Sequence, residues 1–218
     1  MFEILSAPTL KELKAKANEF LKDKPNAMVE YGHIAIITDA AGDVPDNNEP
    51  TLGSIVTFAA YPDIRWVIQH IDGEDVYLAT ETAVRECTFG RNSITAARYS
   101  ESTLYAHCMI YLNETIPDLA DYLEDVDVNG VTAKVFVPSY GQLKSEWDWP
   151  KQSASNRICQ YNGSNITWWT SSRFECSSHL VDNCIWGVGG DGDFGFNGYP
   201  SETRGFRPEV KVRFKKSS

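Results

Sequence analysis

The sequence predicts an α+β domain with antiparallel sheets, two helices and a long Gly/Trp-rich loop region, plus an N-terminal helix. Three observations lead there. GSIVTFAAY, IRWVIQHI and DVYLATE are three short β-rich runs in succession from Gly53, and Asp72-Gly73 between the last two is a hairpin turn signal. Further along, helix caps stand in front of apolar positions at helical spacing. Finally, seven of the chain's 15 glycines fall in residues 187–205, a density that means tight turns and close backbone approaches.

Taken in order, the chain begins with a helical pattern. Thr9 with Glu12 forms a capping box, Leu10, Leu13, Ala17, Phe20 and Leu21 make one apolar stripe, and Pro25 ends it. The stripe packs on its own domain or serves self-association; the spacing resembles a coiled-coil seam, but it is short. A buried strand from His33 and the polar stretch AGDVPDNNEPT follow, so residues 1–50 read as an N-terminal helix, strand and linker ahead of a main domain at 51–218. In that domain Ile64, Trp66, Ile68 and Gln69 do not alternate cleanly, which suggests a strand covered on both faces. Ser102 caps a helix running to about Leu112, with Leu104, Cys108, Tyr111 and Leu112 inward. Pro117 opens a shorter helix with Leu119, Tyr122 and Leu123 inward. AKVFVP is a strand stopped by Pro138, and residues 139–160 read as irregular. At the end, GFRPEVKVRF alternates Val210, Val212 and Phe214 with Lys211 and Arg213, a strand with one buried face.

Composition narrows the function. Hydrophobic residues make up 42% of the chain, enough for a sizeable core, and the net charge of −10 argues against nucleic acid or an anionic membrane as partner. No apolar run reaches the roughly 20 residues of a membrane span, and nothing at the start reads as a signal peptide. Synthesis in the cytoplasm is therefore expected, with the five cysteines as free thiols, although Cys176 and Cys184 could bridge a loop.

Few residues suggest catalysis. The four histidines, His33, His70, His107 and His179, show no metal-ligand spacing. Asp191, Asp193 and Asn197 alternate like calcium ligands but lack the closing glutamate of an EF-hand, and the neighbouring glycines explain the run as a solvated turn. No nucleophile elbow or phosphate loop occurs. Glu146 and Asp148 in a Trp-rich stretch could serve as acid and base of a glycosidase, or belong to a sugar-binding or plain surface loop. No metal, cofactor or catalytic residue is expected. A recognition surface is, because adaptable polar and aromatic residues lie between Trp168, Trp169 and Trp186. Its candidate residues are Arg173, Phe174, His179, Asp182, Asn183, Asp191, Asp193, Phe194, Asn197 and Tyr199, with Trp168, Trp186 and Phe206 as scaffold.

A resemblance adds to this reading. GSIVTFAAYPDIRWVIQHIDGEDVYLATE, STLYAHCMIYLNE and KVFVPSYGQL, with the closing block WWTSSR, IWGVGGDGDF and GFRPEVKV, resemble an uncharacterised domain family of Gram-positive bacteria and their phages over roughly residues 50–214. The closing block also resembles the end of the C-type-lectin-like fold shared by formylglycine-generating enzymes, phage tropism determinants and the variable proteins of diversity-generating retroelements. The resemblance implies a scaffold that displays a ligand-binding loop surface, with Arg207 and Pro208 structural. The catalytic cysteine pair of formylglycine-generating enzymes and the calcium triplets of animal lectins do not carry over. In diversified proteins, adenine mutagenesis of Asn-type codons leaves out Lys, Gln, Met, Glu and Trp. Between 161 and 200 this chain has no Lys, Gln or Met and only Glu175, the tryptophans being framework. The expected role is recognition of a protein or glycan ligand on a cell surface, by a virion-associated protein of a phage tail or capsid or by a retroelement-diversified variable protein. Other virion proteins, or a second copy through the N-terminal helix, are further expected partners. The alternatives are a formylglycine-generating-type or glycan-processing enzyme and a purely structural virion protein.

Overall fold

The structure is a computed structural model and describes residues 50–214 apart from 59, 91–97, 175–183 and 195. The expected N-terminal helix, the strand from His33 and Cys176 lie outside the described residues. Four strands come first: β1 (Ile55–Phe58), β2 (Tyr61–Asp72), β3 (Asp75–Thr80) and β4 (Arg85–Thr88). Helix α1 (Thr103–Ile110) runs into a π-helical turn (Tyr111–Thr115). Four short strands follow: β5 (Leu123–Glu124), β6 (Val126–Val128), β7 (Val131–Ala133) and β8 (Val135–Phe136). A second π-helical turn (Gln142–Glu146) leads into α2 (Asp148–Gln152) and a 3-10 turn (Ala154–Arg157). The chain then continues through β9 (Cys159–Tyr161), β10 (Ser164–Ile166), β11 (Trp168–Arg173), β12 (Ile185–Val188), β13 (Phe196–Gly198), β14 (Thr203–Phe206) and β15 (Glu209–Arg213).

β6–β7 and β9–β10 form separate two-stranded pairs, and two larger sheets organise the rest of these strands. One has the order β1-β2-β3-β15-β5, with β8 also on β15; the other runs β13-β12-β11-β14-β4, and β11 and β14 are its parallel pair. Among the described strands the chain passes between these sheets four times, from β3 to β4, from β4 to β5, from β8 to β11 and from β14 to β15. Arg207 secures the last crossing, because its Nε donates to the Thr80 carbonyl at 2.8 Å and its guanidinium lies over the Trp168 ring. At the same crossing the Thr80 N–H donates to the Pro208 carbonyl at 3.1 Å. The domain is mixed α+β, mostly sheet, as expected.

Local chemistry explains the agreements and the departures. Gly73 takes φ +60° in the β2–β3 hairpin, a conformation that side-chain-bearing residues rarely adopt. The broken alternation in β2 has a specific cause: the register slips between Ile68 and His70, so Trp66, Ile68 and Gln69 are all buried. Ser102 caps α1 through a 3.0 Å bond from the Tyr105 N–H, and Leu104, Cys108, Tyr111 and Leu112 face the core. Pro117 opens only a 3-10 turn (Pro117–Leu119); Leu123 is buried from a strand, and Tyr122 is 45% exposed rather than inward. AKVFVP divides between β7 and β8, and the stretch expected to be irregular is largely helical around the buried Trp147.

The core joins the two sheets. Tyr111 meets Trp66 on one side and Phe206 on the other, and Trp169 packs edge-on to Phe89. Trp168 and Trp169 are fully buried, so their indole N–H groups need partners. Trp168 donates to the Arg157 carbonyl and Trp169 to that of Cys87, each at 2.9 Å. No helix among the described residues is long and apolar enough to cross a membrane.

Candidate functional site

The buried tryptophans of β11 hold a second aromatic group nearer the surface. Phe174 follows β11, and its N–H donates to the Cys184 carbonyl at 2.8 Å, which joins the ends of the segment between them. Its ring meets Trp186 of β12 edge-on at 4.8 Å. Trp186 stacks on Tyr140 with centroids 4.0 Å apart and planes 9° from parallel, and Tyr140 meets Phe194 edge-on at 5.4 Å. All four rings are only half-buried. Two cations flank the ladder, Lys144 Nζ at 4.9 Å over the Tyr140 ring and the Arg157 guanidinium at 3.9 Å over Phe194.

Backbone and hydroxyl contacts set this arrangement. The Tyr140 N–H donates to Ser172 Oγ at 2.9 Å, the Ser171 N–H to the Pro138 carbonyl at 2.9 Å, and Thr170 Oγ1 to the Trp186 carbonyl at 2.8 Å. The Ser and Thr residues of WWTSSR therefore tie β11 to the Tyr140 segment and to β12. Arg157 is buried as deeply as a core residue, yet it keeps its polar partners. Its Nε donates to the Gly192 carbonyl at 2.8 Å and its Nη1 to the Ser153 and Pro150 carbonyls. Burial lowers its pKa, and the Asp193 charge nearby opposes that.

The loop carrying Asp191 and Asp193 is a closed turn. Gly189 N–H donates to the Asp193 carbonyl at 3.0 Å, Gly192 N–H to the Gly189 carbonyl at 2.9 Å, and Asp193 N–H to Asp191 Oδ1 at 3.0 Å. Gly192 has φ +85°, and a Cβ there would stand 1.9 Å from the Ala154 carbonyl oxygen, so only glycine fits. Among the described residues no three His, Cys, Asp or Glu side chains gather as metal ligands.

The structure brings Phe174 and Phe194 into the ladder and leaves Arg173, Asp191 and Asp193 exposed around the loops that carry them. Tyr199 is 54% exposed and has no ring contact with the ladder. Asn197 lies in β13 opposite Trp186, its side chain outside the description, and His179, Asp182 and Asn183 lie outside the described residues. One scaffold assignment changes. Trp168 and Phe206 are buried, but Trp186 is half-buried and belongs to the exposed ladder, because its strand is near the sheet edge with β13 alone beyond it. Tyr140, Lys144 and Arg157 were not anticipated. They come from the stretch read as irregular, and no periodicity marks them.

Among the described residues, Asp148 and three of the cysteines are occupied or sheltered. Asp148 Oδ1 is 2.7 Å from Lys151 Nζ and its Oδ2 is 3.1 Å from His70 Nδ1; Lys151 chiefly, with His70, holds the carboxyl below its ordinary range. It is thus a carboxylate without a proton to donate. Burial pushes the Cys87 and Cys108 thiols up to about 12 and raises that of Cys159, so none is a ready nucleophile. Comparisons with protein-family models, with curated proteins and with solved structures find no significant match.

Proposed function

We propose that the chain is a ligand-recognition protein whose contact surface is the half-buried ladder of Phe174, Trp186, Tyr140 and Phe194 with the exposed residues around it. The carrying observation is the Trp186–Tyr140 stack, two large rings held rigidly at the surface by backbone bonds. Rigid aromatics flanked by cations lose little entropy on binding and supply much of the energy of protein and glycan interfaces. Arg173, Asp191, Asp193 and Tyr199 extend the surface with polar and aromatic contacts. A C-type-lectin-like scaffold suits this reading, since β15 returns to pair with β3 while the Trp-rich strands form a separate sheet below the loops. The setting we infer is a phage virion, as a receptor-binding or surface-decorating protein, or a retroelement-diversified variable protein; the ligand is a protein or glycan on a cell surface.

Labelled protein applied to a panel of Gram-positive cells and to a glycan array tests the proposal. Binding that falls tenfold or more in Trp186→Ala or Tyr140→Ala, with the melting transition retained, is the expected result. Binding unchanged in both folded variants would move the site elsewhere.

A further inference from the structure

Two tight turns of the domain are built from the same dipeptide. The chain holds three Asn-Gly pairs, at 129–130, 162–163 and 197–198. The first closes the β6–β7 pair and the second the β9–β10 pair. Their backbones nearly coincide: Asn129 has φ +52° and Gly130 +75°, Asn162 +50° and Gly163 +77°. These are the angles of the two-residue hairpin turn that favours Asn-Gly. The third pair lies within β13, where Asn197 pairs with Trp186 and Gly198 with Ile185.

Asn-Gly is also the dipeptide most open to attack on itself. The nitrogen of the following residue can add to the side-chain amide carbon, and glycine, with no side chain, leaves the approach unhindered. The two turns differ at both reacting groups. Asn129 Nδ2, the group that would leave, donates to the Ser171 carbonyl and to Ser171 Oγ, each at 2.9 Å. The Gly130 N–H, the group that would attack, donates to Asp127 Oδ1 at 3.2 Å. That carboxylate also sets a negative charge against the amide anion on which attack depends. In the other turn Asn162 and Gly163 are exposed, and neither the Asn162 side chain nor the Gly163 N–H has a hydrogen-bond partner among the described residues. The space beside Gly163 is open. Bringing nitrogen to carbon there needs only rotation about Asn162 at the tip of a two-stranded pair, where local opening costs little.

We propose that Asn162 is a site of spontaneous deamidation and that the fold spares Asn129 and Asn197. The Gly163 nitrogen bonds to Asn162 Cγ, the Cγ–Nδ2 bond breaks, and the side-chain amide leaves as ammonia with the proton that Gly163 gave up. Water then opens the cyclic imide at one of its two carbonyls, giving aspartate or isoaspartate with no change of oxidation state. Both products carry a carboxylate where Asn162 was neutral. Isoaspartate also routes the backbone through the side chain and adds a methylene to a two-residue turn, so the Tyr161–Ser164 closure loosens. The modified pair touches the glycine-rich turn beside the ladder, since a Cβ on Gly190 would stand 3.4 Å from the Asn165 carbonyl oxygen.

The test incubates the folded whole chain in warm, mildly alkaline buffer beside a sample unfolded in guanidinium chloride. Mass spectrometry follows the peptides bearing the three asparagines, and isoaspartate methyltransferase marks the iso product. In the folded chain Asn162 should convert about tenfold or more faster than Asn129 or Asn197, and in the unfolded chain the three should convert at similar rates. Ser171→Ala removes one of the two bonds to Asn129 Nδ2 and should raise Asn129 conversion severalfold, while Asn162 in the same molecules keeps its rate. Four results would overturn the proposal: an unconverted Asn162, Asn129 or Asn197 keeping pace with it in the folded chain, the same preference for Asn162 in the unfolded chain, or an Asn129 rate unmoved by Ser171→Ala.

Discussion

Trp186 lies flat on Tyr140, 46 positions earlier in the chain, with ring centroids 4.0 Å apart. This stack makes Trp186 a different kind of residue from Trp168, which is fully buried on the neighbouring strand β11. Truncating Trp168 to Ala should cost about 3–5 kcal/mol and give largely unfolded protein. Trp186→Ala should cost about 1–2 kcal/mol, since the ring keeps part of its surface in water and loses mainly its aromatic partners. Urea denaturation of both variants checks the contrast. Equal losses would return Trp186 to the scaffold.

Phe174 and Tyr199 probe the surface at two depths. Tyr199 is exposed and Phe174 is half-buried against Trp186. Tyr199→Ala should leave the melting temperature within a few degrees, as surface changes usually do, and Phe174→Ala should lower it modestly. Both should weaken binding to whatever cell or glycan the intact protein recognises. A large drop in melting temperature for Tyr199→Ala would make it a core residue.

Glu209 ties stability to pH. Its carboxyl is wholly buried, neither oxygen has a hydrogen-bond partner among the described residues, and burial pushes its pKa up to about 8, with Arg207 pulling the other way. The folded form therefore holds this proton more tightly than the unfolded chain does. Its stabilising effect is complete below the ordinary glutamate range and declines as pH rises towards about 8, where the folded form ionises too. The urea midpoint should fall across that interval, by an amount on the order of a few kcal/mol in stability. Glu209→Gln keeps the shape without the proton and should flatten the profile. An unchanged slope in that variant would assign the pH dependence to other groups.

Asp191 tests the glycine-rich turn and the calcium question together. Its Oδ1 accepts from the Asp193 N–H, which gives the side chain a structural partner within its own loop. Asp191→Ala should cost about 0.5–1.5 kcal/mol through that lost bond. EDTA and millimolar calcium should each leave the melting temperature of the unmutated protein unchanged. A calcium-dependent rise that disappears in Asp191→Ala would establish a metal site, because an ion binding only the folded form must stabilise it.

The sequence by itself determined the elements whose causes are local. The β2–β3 hairpin follows from Asp72-Gly73, the start of α1 from Ser102, and the buried face of β15 from the alternation of Val210 and Val212. It also drew attention to the stretch containing Phe174 and Phe194. Only the tertiary structure decided which distant residues complete that surface. Tyr140 and Lys144 reach it because the Ser172 hydroxyl and the Ser171 backbone of β11 bind the Tyr140 segment, and Arg157 because its guanidinium bonds the Gly192 carbonyl beside Phe194. Such bonds depend on partners far along the chain and leave no period in the sequence. The same holds for Glu209. Its place in β15 reads as an ordinary strand position, and its complete burial follows from β3 and β8 closing on either side of it.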